Sequence, residues 1–176
     1  NFEVELARFL TPNVLTFKMA TGRDNCFVVA SHIAPTDEET VDHVREALGR
    51  CPIGYRPLLI GDLNVNLGAP ADPRADAIAD AVDEAGLLDM TRHFLQRGET
   101  AKKNLGTQSM GRPAKRGNRW TWRQRRCGRW VSSRPDYILA HGEDRGNFRW
   151  VGFRTPRHHD TDHRAVVARV RVRPRG

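Results

Sequence analysis

Apolar and polar positions alternate along this chain with two different periods. "NFEVELARFL" (1–10) switches at nearly every step, the period of a half-buried strand. "NVLTFKMATGRDNCFVVASHIAP" (13–35) reads as two strands around a Gly-Arg-Asp-Asn turn, with Leu15, Phe17 and Met19 alternating in the first and "CFVVA" a buried run in the second. The period then lengthens. In "TDEETVDHVREALG" (36–49) Val41, Val44 and Leu48 share a helical face, Thr36 with Glu39 makes a capping-box pattern, and Gly49 can end the helix. "RPLLIGD" (56–62), bounded by Pro and Gly, predicts a core strand. "DPRADAIADAVDEAG" (72–86) predicts a helix with Asp72 as cap, Pro73 at the first position and Gly86 past the end. "RWTWRQR", "SSRPDYILAH", "NFRWVGFR" and "HRAVVARVRV" predict four more strands. Helices between the early strands and strands in succession later point to one layered, mixed α/β domain, with no repeat.

Length and composition fit this picture: 176 residues, 39% apolar and 28% charged, are those of a globular domain with a hydrophobic core. No apolar run approaches the ~20 residues that span a bilayer, so no membrane partner is expected. Cys26, Cys51 and Cys127 have neither zinc spacing nor a disulfide pattern, which fits a reducing compartment. The chain carries no signal-peptide pattern and does not open on Met, so it is expected to start inside a longer polypeptide.

Charge adds a partner. The net charge is +8, and Arg97 to Arg129 holds eleven Lys or Arg against a single acid, Glu99. The stretch from Arg97 to Asn118, rich in Gly, Lys and Arg, reads as a loop. Basic clustering favours a polyanion, because each neutralised phosphate releases counterions; a solvated basic loop kept for solubility is the alternative.

The candidate chemistry begins with "DLNVNLG" (62–68). Asp62, Asn64 and Asn66 alternate as calcium ligands do, but the sixth position is Leu67 where that loop needs Gly, the twelfth is Pro73 where it needs Glu, and a strand rather than a helix precedes it. The calcium reading fails. As the end of a strand, the stretch is expected to put Asp62 and Asn64 on one face. Three further polar clusters stand where strands begin or end: Asp136 in "RPDYILA", Asp162 and His163 in "HHDTDHRAVV", and His32 in "VVASHIAP".

Together these motifs resemble those of the endonuclease/exonuclease/phosphatase superfamily, in its deoxyribonuclease-like branch. "GDLN" (61–64) is similar to its Gly-Asp-Phe/Leu-Asn motif, "RPDYIL" (134–139) to its Asp-Tyr strand, with Pro135 for an apolar residue, and "TDHRAV" (161–166) to its Ser-Asp-His motif. "WTW" (120–122) is similar to the Thr-Trp before the Asp-Tyr strand, and order and spacing agree from about Phe27 to Val170. The string as a whole is most similar to endonuclease domains of retrotransposon-like elements.

The resemblance implies a four-layer sandwich of two mixed β-sheets flanked by helices, and a metal-dependent phosphodiesterase acting on DNA. Asp62 would orient or deprotonate the attacking water and Asn64 fix its geometry. His163 would touch a phosphoryl oxygen, Asp136 would hold His163, and Asp162 would bind Mg²⁺ or Mn²⁺. His32 would lie near the leaving group. Arg119, Trp122, Arg123, Arg125 and Arg126 would meet the nucleic acid, with a core position favoured for Trp122. The family's early strands, which carry an Asn and a metal-binding Glu, have no match here. The domain is therefore expected to be N-terminally truncated, weakly active alone, and open to self-association through bare sheet edges. A retroelement protein would be nuclear, and nothing here directs secretion.

Three alternatives remain: a phosphoesterase for lipid or inositol phosphates, a non-catalytic nucleic-acid-binding remnant, and a zinc site at His158, His159 and His163.

Overall fold

Strand parity decides which face each side chain of this protein reaches. A computed structural model describes residues 3–21, 24–37, 39–67, 72–94, 120–154 and 161–171. Within these residues these elements follow one another: β1 (Glu3–Thr11), β2 (Val14–Thr21), β3 (Asp24–His32), α1 (Glu39–Gly49), β4 (Arg56–Asp62), α2 (Pro73–Glu84), β5 (Leu87–Asp89), β6 (Trp122–Arg126), β7 (Arg129–Ser133), β8 (Asp136–His141), β9 (Phe148–Arg154) and β10 (Ala165–Val170), with residues 90–94 helical after β5. A short 3-10 helix, Gly142–Gly146, joins β8 to β9.

Six strands form one mixed sheet in the order β1-β2-β3-β4-β8-β5. In it β3 and β4 run parallel, joined by the α1 crossover, and the other neighbours are antiparallel. Odd-numbered residues Phe27, Val29, Leu59, Tyr137 and Leu139 point to one face. There they bury against Val41, Val44 and Leu48 of α1 and Ala75, Ile78 and Val82 of α2. Even-numbered Leu58, Ile138 and Ala140 point to the other face, where they pack with Phe148 and Val151 of β9 and Val166 and Ala168 of β10. This is the expected α/β class, with mixed sheets flanked by helices. Among the described residues it forms three layers: helices, the six-stranded sheet, and the β9–β10 pair. The β9–β10 layer does not cover the far edge, where Val4 and Phe9 of β1 are 62% and 74% exposed. No helix among the described residues is long and apolar enough to cross a membrane.

Local chemistry explains the boundaries. Asp72 caps α2 by accepting the amides of Arg74 and Ala75 at 3.1 and 3.4 Å, with Pro73 at the first helical position. Gly86, at φ 65°, ends that helix in the left-handed region. At α1 the cap is Asp37, not the expected Thr36. Its carboxylate accepts the Thr40 amide at 3.0 Å and the Thr40 hydroxyl as well. Those two bonds hold its carboxyl below the ordinary value.

Two elements differ from the sequence expectation. "SSRPDYILAH" is not one strand: Pro135 has no N–H to give a ladder, and β7 ends at Ser133 before β8 begins at Asp136. The stretch before it folds back on β6 as a hairpin, turning at Cys127 and Gly128, whose φ values of 47° and 76° are those of a two-residue type I′ turn. The pattern was hard to read because "RWVSS" buries neither face. The basic stretch 97–118, Arg119, His158 and His159 lie outside the described residues.

Candidate active site

The sheet register lines up three of the expected residues. His32 of β3 is the Cα partner of Asp62 of β4, and Asp62 is the partner of Asp136 of β8. All three are even-numbered, so they form one cross-strand row on the face away from the helices. Gly61 is what lets β3 and β4 approach here. It sits at φ 141°, and a Cβ on it would overlap the Ser31 carbonyl oxygen.

His163 reaches this row from a different segment. Residues 162–164 run beside 121–123: Trp122 and His163 form an isolated bridge, the Arg123 amide donates to the Asp162 carbonyl at 2.9 Å, and the Arg164 amide donates to the Thr121 carbonyl at 2.6 Å. The His163 ring then lies with Nδ1 3.1 Å from Asp136 Oδ2 and Nε2 3.9 Å from Asp62 Oδ2. The first distance is a hydrogen bond and the second is not. A proton on Nδ1, directed at Asp136, leaves Nε2 as the working atom of the ring. Among the described residues, Asp62, Asp136 and His163 bring one ligand atom each within 4.8 Å of one another.

Asp62 is the member whose acidity is shifted. Burial raises its carboxyl above the usual value and the Asp136 charge pushes the same way; the Asn64 amide, His163 and His32 partly offset this. Beside the row opens a cleft of about 500 Å³, its floor made by Leu15, Ala30, Ile60, Ile138 and Val166.

Three expectations are corrected. Strand β4 ends at Asp62, so Asn64 is not its same-face neighbour. Asn64 sits in a turn at φ 49°, with its amide donating to Asp62 Oδ1 at 3.0 Å and its side chain donating to the Ile33 carbonyl at 2.8 Å. Asparagine tolerates this left-handed backbone and closes the turn on the preceding carboxylate. Asp162 is exposed and stands outside the three-residue cluster, its Oδ2 accepting the Trp122 indole N–H at 2.7 Å. Trp122 accordingly belongs to neither hydrophobic core; its polar edge has a partner at the surface, with Arg126 over its ring at 5.4 Å.

Trp122 opens the β6–β7 hairpin, where arginines and tryptophans interleave. Arg123 stacks on Trp120 at 5.6 Å and on Trp130 at 4.3 Å, Arg125, Arg126 and Arg129 are exposed, and Trp130 is 61% exposed.

Sequence reasoning missed the supports. Tyr137, 1% exposed, accepts the Leu67 amide at 2.8 Å and donates to the Val65 carbonyl at 3.3 Å, pinning the turn after Asp62. Arg134 lies over the Tyr137 ring at 4.7 Å and pairs with Asp89. Pro135 accepts the Leu63 amide at 2.8 Å. Only the adjacency of these residues to Asp136 hinted at them.

No family model matches the chain, and no curated protein sequence does. Solved structures do match. The endonuclease domain of TRAS1, a telomere-specific non-LTR retrotransposon, superposes with a TM-score of 0.66 at 16% identity, over 97% of this chain and 69% of that one. The chain has the endonuclease/exonuclease/phosphatase fold. The 3'-5' exonuclease NExo from Neisseria meningitidis shares this fold at TM-score 0.62 and 16% identity, over 96% of this chain and 72% of that one. The D. rerio TDP2 complexed with a single-strand DNA product does so at 0.61 and 13%, over 95% and 67%. On this fold, the row His32–Asp62–Asp136 and the His163 ring meet at one end of the sheet.

Proposed function

We propose that this protein is a phosphodiesterase domain that hydrolyses DNA backbone bonds by means of an oriented water. The observation that carries the reading is the His163–Asp136 pair facing Asp62 across the strand row. Attack on a phosphodiester needs a placed water and charge stabilisation at the phosphoryl oxygens. Asp62, ionised, accepts a hydrogen bond from the water and orients it. His163, its Nδ1 held by Asp136, directs Nε2 at a phosphoryl oxygen and donates to it when protonated. His32, at the end of the row, serves the leaving oxygen. Asn64 acts through its amide, which steadies the Asp62 carboxylate.

The donors fit a divalent cation: the Asp62 and Asp136 carboxylates offer oxygen atoms inside 4.8 Å of one another, and oxygen donors suit Mg²⁺ or Mn²⁺. Asp62 and Asp136 would hold it, with Asp162 joining only on release from Trp122. When bound, the ion supplies charge to offset the phosphoryl oxygens.

DNA is the substrate favoured by the net charge of +8 and by the Arg-Trp hairpin, which offers guanidinium groups to phosphates and ring faces to bases. The test is nicking of supercoiled plasmid with Mg²⁺ or Mn²⁺. A slow activity is expected, removed by chelation and lowered at least about 100-fold in Asp62→Asn and His163→Ala. Nicking unchanged in both variants would sink the assignment. Phosphate release from inositol phosphates in preference to nicking would transfer the site to small esters.

The hairpin also favours a second reading, a DNA-binding module without catalysis. Its signature is salt-dependent binding that both variants leave intact, with no nicking by the unaltered chain.

A further inference from the structure

Thr121 is fully buried, yet three of its polar atoms have defined partners. Its hydroxyl oxygen accepts the Asp136 amide at 3.2 Å, its carbonyl accepts the Arg164 amide at 2.6 Å, and its own amide donates to the Ser133 carbonyl at 3.0 Å. Asp136 and His163 lie on separate segments, β8 and the stretch before β10, and this residue touches the backbone beside both. The side chain ties down the residue that bears the carboxylate. The main chain ties down the residue after the one that bears the ring.

We propose that Thr121 is a positioning residue that sets the distance between Asp136 and His163, through the hydroxyl it presents to the Asp136 amide. The inference rests on the phosphodiesterase reading for its effect on rate, but not for its effect on the pair. Valine has the same shape and lacks the acceptor, so Thr121→Val removes that tether while keeping the volume. The start of β8 is then free to drift. A shift of a few tenths of an ångström is enough to weaken the 3.1 Å bond that orients the imidazole.

The test uses the full chain and two readouts. The first is the ¹⁵N spectrum of the His163 ring at one fixed pH, with Asp136→Asn as the reference for a lost partner. Thr121→Val should move the ring nitrogens towards the Asp136→Asn values, and Thr121→Ser should leave them in place. The second is plasmid nicking: Thr121→Val should lower kcat about tenfold with KM within about twofold, and Thr121→Ser should keep both within about twofold. Should the valine protein fail to fold, Thr121→Ser against Thr121→Ala, both without the methyl, decides in the same way. Wild-type ring nitrogens in the hydroxyl-free variant overturn the proposal. If ring nitrogens move but no protein nicks DNA, the positioning role stands and the hydrolase reading falls.

Discussion

Gly61 and Asp62 pull the local energetics in opposite directions. Gly61 is there because no side chain fits: at φ 141° and against the Ser31 carbonyl, an alanine must push β3 and β4 apart in the middle of the sheet. Gly61→Ala should cost about 2–4 kcal/mol, read as a lowered denaturant midpoint, and should break the His32–Asp62 alignment with it. Asp62 is present despite its cost. Its carboxyl is raised above 3.8 mainly by burial, so the folded chain binds that proton more tightly than the unfolded one. Stability from this group is therefore full below the unfolded value and falls as pH rises through the window up to the folded value. Asp62→Asn, which keeps the acceptor for the Asn64 amide, should raise the melting temperature at pH 7 while abolishing nicking. A lower melting temperature would contradict this balance.

At the scale of elements, the helices were legible because their signals are local. The Asp72 cap, Pro73 and Gly86 lie within fifteen residues, and Asp72→Ala should cost about 1 kcal/mol in thermal unfolding. Strand β4 was legible too, as a short apolar run between breakers. The hairpin was not. Its tip needs positive φ at Cys127 and Gly128, and Cys127 is not a residue that announces such a turn. Its exposed residues carry no burial pattern, since their partners are solvent and, in the proposed complex, phosphate. Replacing Arg125, Arg126 and Arg129 with alanine should weaken DNA binding. It should also flatten the slope of log K against log salt by about 0.9 for each phosphate left without its arginine, measured by titration at several ionic strengths. An unchanged slope would remove the hairpin from the interface.

At the scale of the whole molecule, identity and position of the site residues separated. Asp62, Asp136 and His163 could be picked out by motif; the register then aligned the two carboxylates, and the pairing of 162–164 with 121–123 brought in the ring. The displacement of Asp162 towards Trp122 and the turn at Asn64 could not be read, because each depends on a hydrogen bond between side chain and backbone or ring. The edge at β1, which no other strand pairs among the described residues, is a further whole-molecule matter. With Val4 and Phe9 exposed on an edge strand, self-association is proposed, and Phe9→Lys should shift sedimentation towards monomer.

Strand β8 lies between β4 and β5 although it follows both by a long stretch of chain. His32 and Asp62 therefore come from residues before 95, Asp136 and His163 from residues after 119, and neither portion owns a complete constellation. Two polypeptides, 1–94 and 95–176, would each be inert. Mixed, they would regain the constellation only by inserting β8 as a central strand. Recovered nicking would then rise with the product of the two concentrations, making the bond between the halves dispensable and their meeting rate-determining.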